Sequence, residues 1–300
     1  MNTLSANSIQ EALHSWPPFR EAVSALSSAA ALPVEISGVQ GSLYSCFLRE
    51  VCTLRAAQRM RQFQYSAAGC SSQAVKPRGG NFSADSSDAV VIVPGEREAA
   101  ALKSDLETLF PEADAFILPG WGTLPYRPAP TGSAAFGRRA GVLAKMAWRH
   151  EAADAADAMR FKPCIFIIPR YVLQIPVPPP DYVRGLSFFL RKGQALDTVK
   201  IAERLARSGY LRVPRVNVRG EFSLRGEVLD IFLPEEELPA RVIFDFDAIE
   251  NIKLFDPENQ ATVASTDFLL VHPMKEVVWN EELVARLYRR CYRRAPKTPP

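Results

Sequence analysis

RGEFSLRGEVLDIFLPEEELPARVIFDFDAIENIKLFDPENQAT, residues 219–262, is a succession of short strands. EFSL, EVLDIFL, ARVIFDF and ENIKLF set apolar and polar side chains on alternate faces, and Gly226 and the acidic run ending at Pro239 mark turns between them. Upstream, VNV at 216–218 is a further short run, preceded by a helix that Asp197 caps and that carries Val199, Ile201 and Leu205. From about residue 185 to 270 the chain therefore reads as a small α+β domain. It is entered through QIPVPPPDY at 174–182, a proline-dense stretch that suits a stiff connector.

Residues before the connector have another texture. An amphipathic helical lead with Phe19, Val23 and Leu26 enters through Pro17 and Pro18. Apolar runs then begin with VEIS at 34, VVIVP at 90, FILP at 116 and CIFIIP at 164. Between them, Leu102, Leu106 and Leu109, and later Val142, Leu143 and Met146, keep one helix face apolar, as βαβ units of a parallel sheet require. Residues 66–88, rich in Ser, Gly and Ala, hold few large apolar groups and are expected to form a mobile surface excursion. The expected organisation is a helical lead at 1–32, an α/β domain at 33–184, the α+β domain at 185–270 and a return to the first domain at 271–300.

Composition narrows the functional classes. Of 300 residues 47% are apolar and 23% charged, which is enough to bury a core and argues against disorder. Cys46, Cys52, Cys70, Cys164 and Cys291 are odd in number and contain no C-x-x-C pair, so neither a disulfide framework nor a metal site is expected. No run is long enough to span a membrane and no leader pattern opens the chain, so a cytoplasmic protein is expected. Net charge is +3, but Arg286, Arg289, Arg290, Arg293, Arg294 and Lys297 supply six positive charges in a stretch without acids, leaving −3 for the remainder. Inside the α+β domain, residues 191–219 hold eight basic groups against two acids and 221–270 hold three against twelve, a polarity that points to a protein-binding face.

One stretch has the context of a phosphate loop: ISGVQGSLYS at 36–45, with Gly38 and Gly41 between a strand pattern and a helix pattern. Where Gly-Lys-Ser would be needed, the chain has Leu43, Tyr44 and Ser45. Leu43 crowds the nest of backbone N–H groups and Tyr44 brings no positive charge, so no nucleotide is expected there. His14, His150 and His272 adjoin no Ser, Cys or carboxylate cluster in sequence, and no catalytic constellation can be assembled. Asp230, among apolar neighbours in VLDIF, reads as a paired structural carboxylate. Trp121 and Tyr126 read as packing groups.

The 219–262 segment resembles, nearly residue for residue, the segment shared by the bacterial transcription-repair coupling factors (Mfd) and the excision-repair helicase UvrB, in the domain with which both bind UvrA. LPGWGTLPY at 118–126 resembles a signature of the coupling factors that UvrB lacks, and FFLRKGQALD at 188–197 continues the match. The resemblance spans roughly residues 33–275. It implies a degenerate RecA/helicase-like parallel sheet that has lost its ATP site, with a UvrA-binding α+β domain inserted into it. It also implies a fragment with no cofactor of its own, whose parent uses ATP and Mg in a motor and reaches RNA polymerase and DNA through parts absent here; the return at 271–300 would then be truncated.

The same resemblance carries interaction residues over singly: Arg225 just before Gly226, Arg241 at the start of the next edge strand, Arg212 after the helix, and Arg219 as a lesser candidate. Arginine suits the role, because its planar fork contacts carboxylates bidentately and tolerates desolvation. Two positions depart from the family pattern: Ile243 stands where an acid is usual and Asp245 where an aromatic is usual. Phe244 or Phe246 could replace that aromatic, although strict alternation would put both on the face opposite Asp245. From the residues alone, an arginine on a half-exposed sheet is more often a solvated charge of little consequence. Two other readings remain open: a UvrB-like helicase fragment, which would need an intact phosphate loop, and a nucleic-acid-binding module using the basic C-terminal tail.

Overall fold

The computed structural model describes residues 6–27, 36–37, 39, 41–54, 88–122, 134–149 and 163–294. The VEIS run up to residue 35, Gly38, the 66–88 excursion except Asp88, Tyr126, His150 and Lys297 lie outside the described residues. The chain divides into two compact units, Met1–Pro119 with Ala152–Ile175, and Gly120–Glu151 with Pro176–Pro300.

In the first unit, α1 (Ala6–Ser15) and α2 (Pro17–Ser27) precede a helix described over 43–54, α3. Phe19 of α2 meets Phe47 of α3 edge-on at 5.7 Å between ring centres. Strands β1 (Ala89–Val93), β2 (Asp114–Ile117) and β3 (Cys164–Pro169) form a parallel sheet in the order β1-β3-β2. Every residue of β3 is buried, which is the sign of a central parallel strand covered on both faces. Helix α4 (Glu96–Leu109) turns Leu102 and Leu106 onto this sheet against Val91, Val93, Ile165 and Ile167, as its apolar spacing requires.

The second unit contains α5 (Ala134–Arg149), α6 (Pro180–Leu186), β4 (Phe188–Arg191) and α7 (Thr198–Arg207). Strands β5 (Leu211–Arg212), β6 (Glu221–Arg225), β7 (Val228–Ile231), β8 (Ala240–Asp245), β9 (Ala248–Phe255) and β10 (Thr262–Thr266) form one sheet in the order β10-β9-β8-β7-β6-β5, antiparallel except for the β5–β6 pair. A last strand, β11 (Phe268–Val271), pairs antiparallel with β4, and α8 (Glu281–Arg294) follows. Asp197 caps α7 as its sequence position indicates, its Oδ1 accepting from the N–H groups of Val199 and Lys200 at 3.0 and 3.2 Å. Ile201 and Leu205 of α7 are buried against Phe222, Leu229, Val242 and Ile252 on the inner face of the sheet, whereas Val199 is exposed.

This unit is larger than the 185–270 stretch, and buried ion pairs are among the contacts that tie the added segments to it. Arg139 of α5 is fully buried, with its Nε 2.7 Å from Glu276, and Lys145 reaches Glu236 at 2.8 Å and Glu235 at 3.6 Å. His272 is buried too, and both its ring nitrogens face acceptors, the Glu235 carboxylate and the Pro273 carbonyl. Sequence adjacency does not reveal these partners: Glu235 is 37 positions from His272 and the fold delivers it, and His14 likewise lies 3.2 Å from Glu50.

A candidate partner-binding site

Alternation along β6, β7 and β8 sends Phe222, Leu229, Ile231, Val242 and Phe244 inward and leaves Arg225, Val228, Asp230, Arg241 and Ile243 on the outer face. Register then sets Asp230 directly opposite Arg241, and Arg225 opposite Val228. Asp230 is 1% exposed and accepts Nε and Nη2 of Arg241 at 2.7 and 2.9 Å, a bidentate pair, together with Nη2 of Arg225 at 3.1 Å. Arg241 is held further by Gln260, whose Oε1 accepts from the same Nη2 at 2.8 Å, and its guanidinium lies 4.4 Å over the ring of Phe255. Hydrogen bonding to Asp230 raises the Arg241 guanidinium above its ordinary value. Lys253 stands opposite Arg241 on β9, so two arginines meet one buried carboxylate with a lysine beside them, and these four side chains carry a net positive charge.

The expectation that Arg241 lies on an edge strand is corrected. Strand β8 lies between β7 and β9, in the interior of the sheet, and β7 separates it from β6. What joins Arg225 to Arg241 is the intervening β7 and its Asp230. The side chain of Arg225 is 57% exposed and that of Arg241 24%, so the first is available to a partner while the second is largely committed to Asp230. Arg212 and Arg219 are not part of this cluster. Arg212 is exposed on the short edge strand β5, and Arg219 precedes β6, donating from Nε to the Glu236 carbonyl at 2.8 Å with its guanidinium 5.4 Å from the Phe232 ring.

The aromatic replacement also resolves differently from simple alternation. Phe244 is buried in the core and cannot anchor a partner. Phe246 has left the strand for the two-residue β8–β9 turn, where alternation no longer governs it, and it is 84% exposed with φ of 53°. A bulky residue in the left-handed region is held there at a cost of roughly 1–2 kcal/mol. Gln260 and Phe255 escaped sequence reading: their part depends on the turn after β9 bringing Gln260 back to Arg241, with Gln260 itself at φ 63°.

In the 36–45 stretch, Gly41 has a positive φ of 56° and Leu43 and Tyr44 stand in the first turn of α3. Among the described residues no group of three or more His, Cys, Asp or Glu is gathered as a metal ion would need, and no helix is long and apolar enough to cross a membrane.

Residues 188–277 match the UvrB interaction domain family. The chain is 31% identical over 242 residues to the transcription-repair-coupling factor of Myxococcus xanthus, which covers 79% of this chain and 19% of that protein. It is 26% identical over 187 residues to the transcription-repair-coupling factor of Escherichia coli (62% and 15% coverage), and 37% identical over 106 residues to the UvrABC system protein B of Kosmotoga olearia (35% and 16%). The chain thus spans less than a fifth of the length of these relatives.

Proposed function

We propose that this chain, an N-terminal UvrB-homology module of the transcription-repair-coupling factor family, binds UvrA through the outer face of its six-stranded sheet and so recruits it when RNA polymerase has stalled. The supporting observation is the pair of arginines gathered on Asp230 within the matched segment. A net positive cluster with a preorganised guanidinium pair suits an acidic partner surface, since the ordering cost of Arg241 is met in the folded chain before binding. In this reading the parallel sheet of the first unit is a retired RecA-like motor half serving as scaffold, and DNA translocation, ATP and Mg belong to other parts of a longer protein. Co-purification and calorimetry with UvrA from the same organism test the proposal directly, and absence of binding would end it.

Phe246 supplies a further expected outcome. Phe246→Gly removes the exposed ring and relieves the left-handed strain, so the melting temperature should stay within about 3 °C of wild type while UvrA affinity falls about tenfold, that is about 1.4 kcal/mol. Unchanged affinity would show that the aromatic position of the relatives has no replacement here.

The rival reading, a UvrB-like helicase fragment, needs nucleotide binding. With Leu43 and Tyr44 in place of Gly-Lys, calorimetry should detect no micromolar ATP binding; binding abolished by altering Ser42 or Ser45 would favour the rival.

A further inference from the structure

We infer that the arginine row of α8 is a phosphate-backbone contact for duplex DNA, a second binding surface beyond the proposed UvrA face. The start of helix α8 is well defined: Asn280 caps it, its Oδ1 accepting from the Leu283 N–H at 2.8 Å, and Glu281 and Glu282 occupy the first turn. Past Glu282 it contains no acid. Arg286, Arg289 and Arg290 are exposed, at the spacing i, i+3, i+4.

Five residues of helix span about 7 Å, so the three guanidiniums line up on one side over little more than a turn. None of Arg286, Arg289 and Arg290 forms an ion pair with a described residue; Arg289 donates only to the Ala285 carbonyl, at 3.3 Å. Like charges at i, i+4 repel and weaken a helix, so a row of guanidiniums without carboxylate partners is unfavourable until a polyanion neutralises it. Arginine, with its bidentate fork, is the cation best matched to phosphate.

The opposite side of the helix carries Val284, Leu287 and Tyr288, all exposed. The two faces are thus segregated, and the basic one can lie along a backbone without burying an apolar group. A charged lipid surface would instead use the apolar side. That stripe holds only these few groups and the thiol of Cys291, too little apolar area for stable insertion.

The test is fluorescence anisotropy of a labelled mixed-sequence 20-base-pair duplex with the whole chain. Three phosphate contacts give a salt slope near −2.7, so raising salt from 50 to 200 mM should weaken binding about 40-fold. Arg286→Glu with Arg290→Glu should lower affinity at 50 mM salt at least tenfold and reduce the slope by about 2. The paired Lys replacements should retain most of the binding, and circular dichroism should show the helix intact in each. UvrA binding should be unaffected by these variants, which separates failure here from failure of the UvrA reading. The inference is overturned if the duplex does not bind at 50 mM salt, if charge reversal leaves binding unchanged, or if vesicles with anionic lipid are preferred to the duplex and Val284→Asp abolishes that preference.

Discussion

Replacing Arg241 by alanine is expected to lose both UvrA binding and part of the fold, whereas Arg225→Ala loses binding alone. The difference follows from Asp230. Removing one partner of a buried ion pair leaves a charge without compensation, typically at a cost of about 3–5 kcal/mol. Here Arg225 still reaches one oxygen of Asp230 and the pair opens to solvent on one side, so a loss of about 2–3 kcal/mol in denaturant unfolding is expected for Arg241→Ala. Arg225 is more than half exposed and its removal leaves the bidentate Arg241–Asp230 pair whole, so its stability change should stay under about 1 kcal/mol.

Loss of affinity for UvrA should be about 2–5 kcal/mol for either, roughly 30-fold to several thousand-fold. The two roles of Arg241 separate in the double replacement Asp230→Leu with Arg241→Met. Exchanging a buried pair for apolar groups of similar volume is often neutral or stabilising, so this variant should unfold near wild type yet fail to bind. If it is folded and binds within about threefold, the arginine assignment is wrong.

A second large effect is expected where helix propensity alone predicts a gain. Gly141→Ala in the middle of α5 would ordinarily stabilise by about 1 kcal/mol. A Cβ there would sit 2.6 Å from the carboxyl carbon of Glu235 and 2.7 and 2.8 Å from its oxygens. That carboxylate cannot swing away cheaply, because it is buried and held by His272 and Lys145. The expected net result is a loss of about 2–4 kcal/mol, from overpacking and a disrupted buried ion pair.

Burial pushes the Glu235 carboxyl up, but the charges of His272 and Lys145 outweigh it and hold the group below the ordinary glutamate value. A depressed carboxylate contributes stability that is present above its unfolded value and lost as pH falls through the folded one. The difference between wild type and Gly141→Ala should therefore be fully developed near neutrality and shrink as the pH falls below the glutamate range. A melting temperature raised by Gly141→Ala at neutral pH would refute the close packing.

Much of this was legible in the chain, for reasons that differ by element. The inward set of the six-stranded sheet follows from period-two alternation, and the Asp197 cap and the Leu102 and Leu106 face of α4 are local patterns that tertiary context did not override. Arg225 and Arg241 could be named, but their union could not, because it depends on β7 lying between their strands and on an aspartate whose apolar neighbours said only that it must be paired. Phe246 was misjudged because the strand ends one residue before it. His272 and Glu235 are 37 positions apart, and Gly137 and Gly141 look like poor helix residues until Pro234 and Glu235 are seen pressed against them.

The attachment of α5 to the sheet-rich unit bears on how such a module can be cut from its chain. A segment trimmed to residues 188–277 would keep Glu235, Glu236 and Glu276 but discard Arg139 and Lys145, the cations that neutralise them, together with the helix surface that fits against Pro234. The minimal portable piece is therefore discontinuous in sequence, and a graft or deletion that respects the homology boundary severs the electrostatic seam on which its own interior closes.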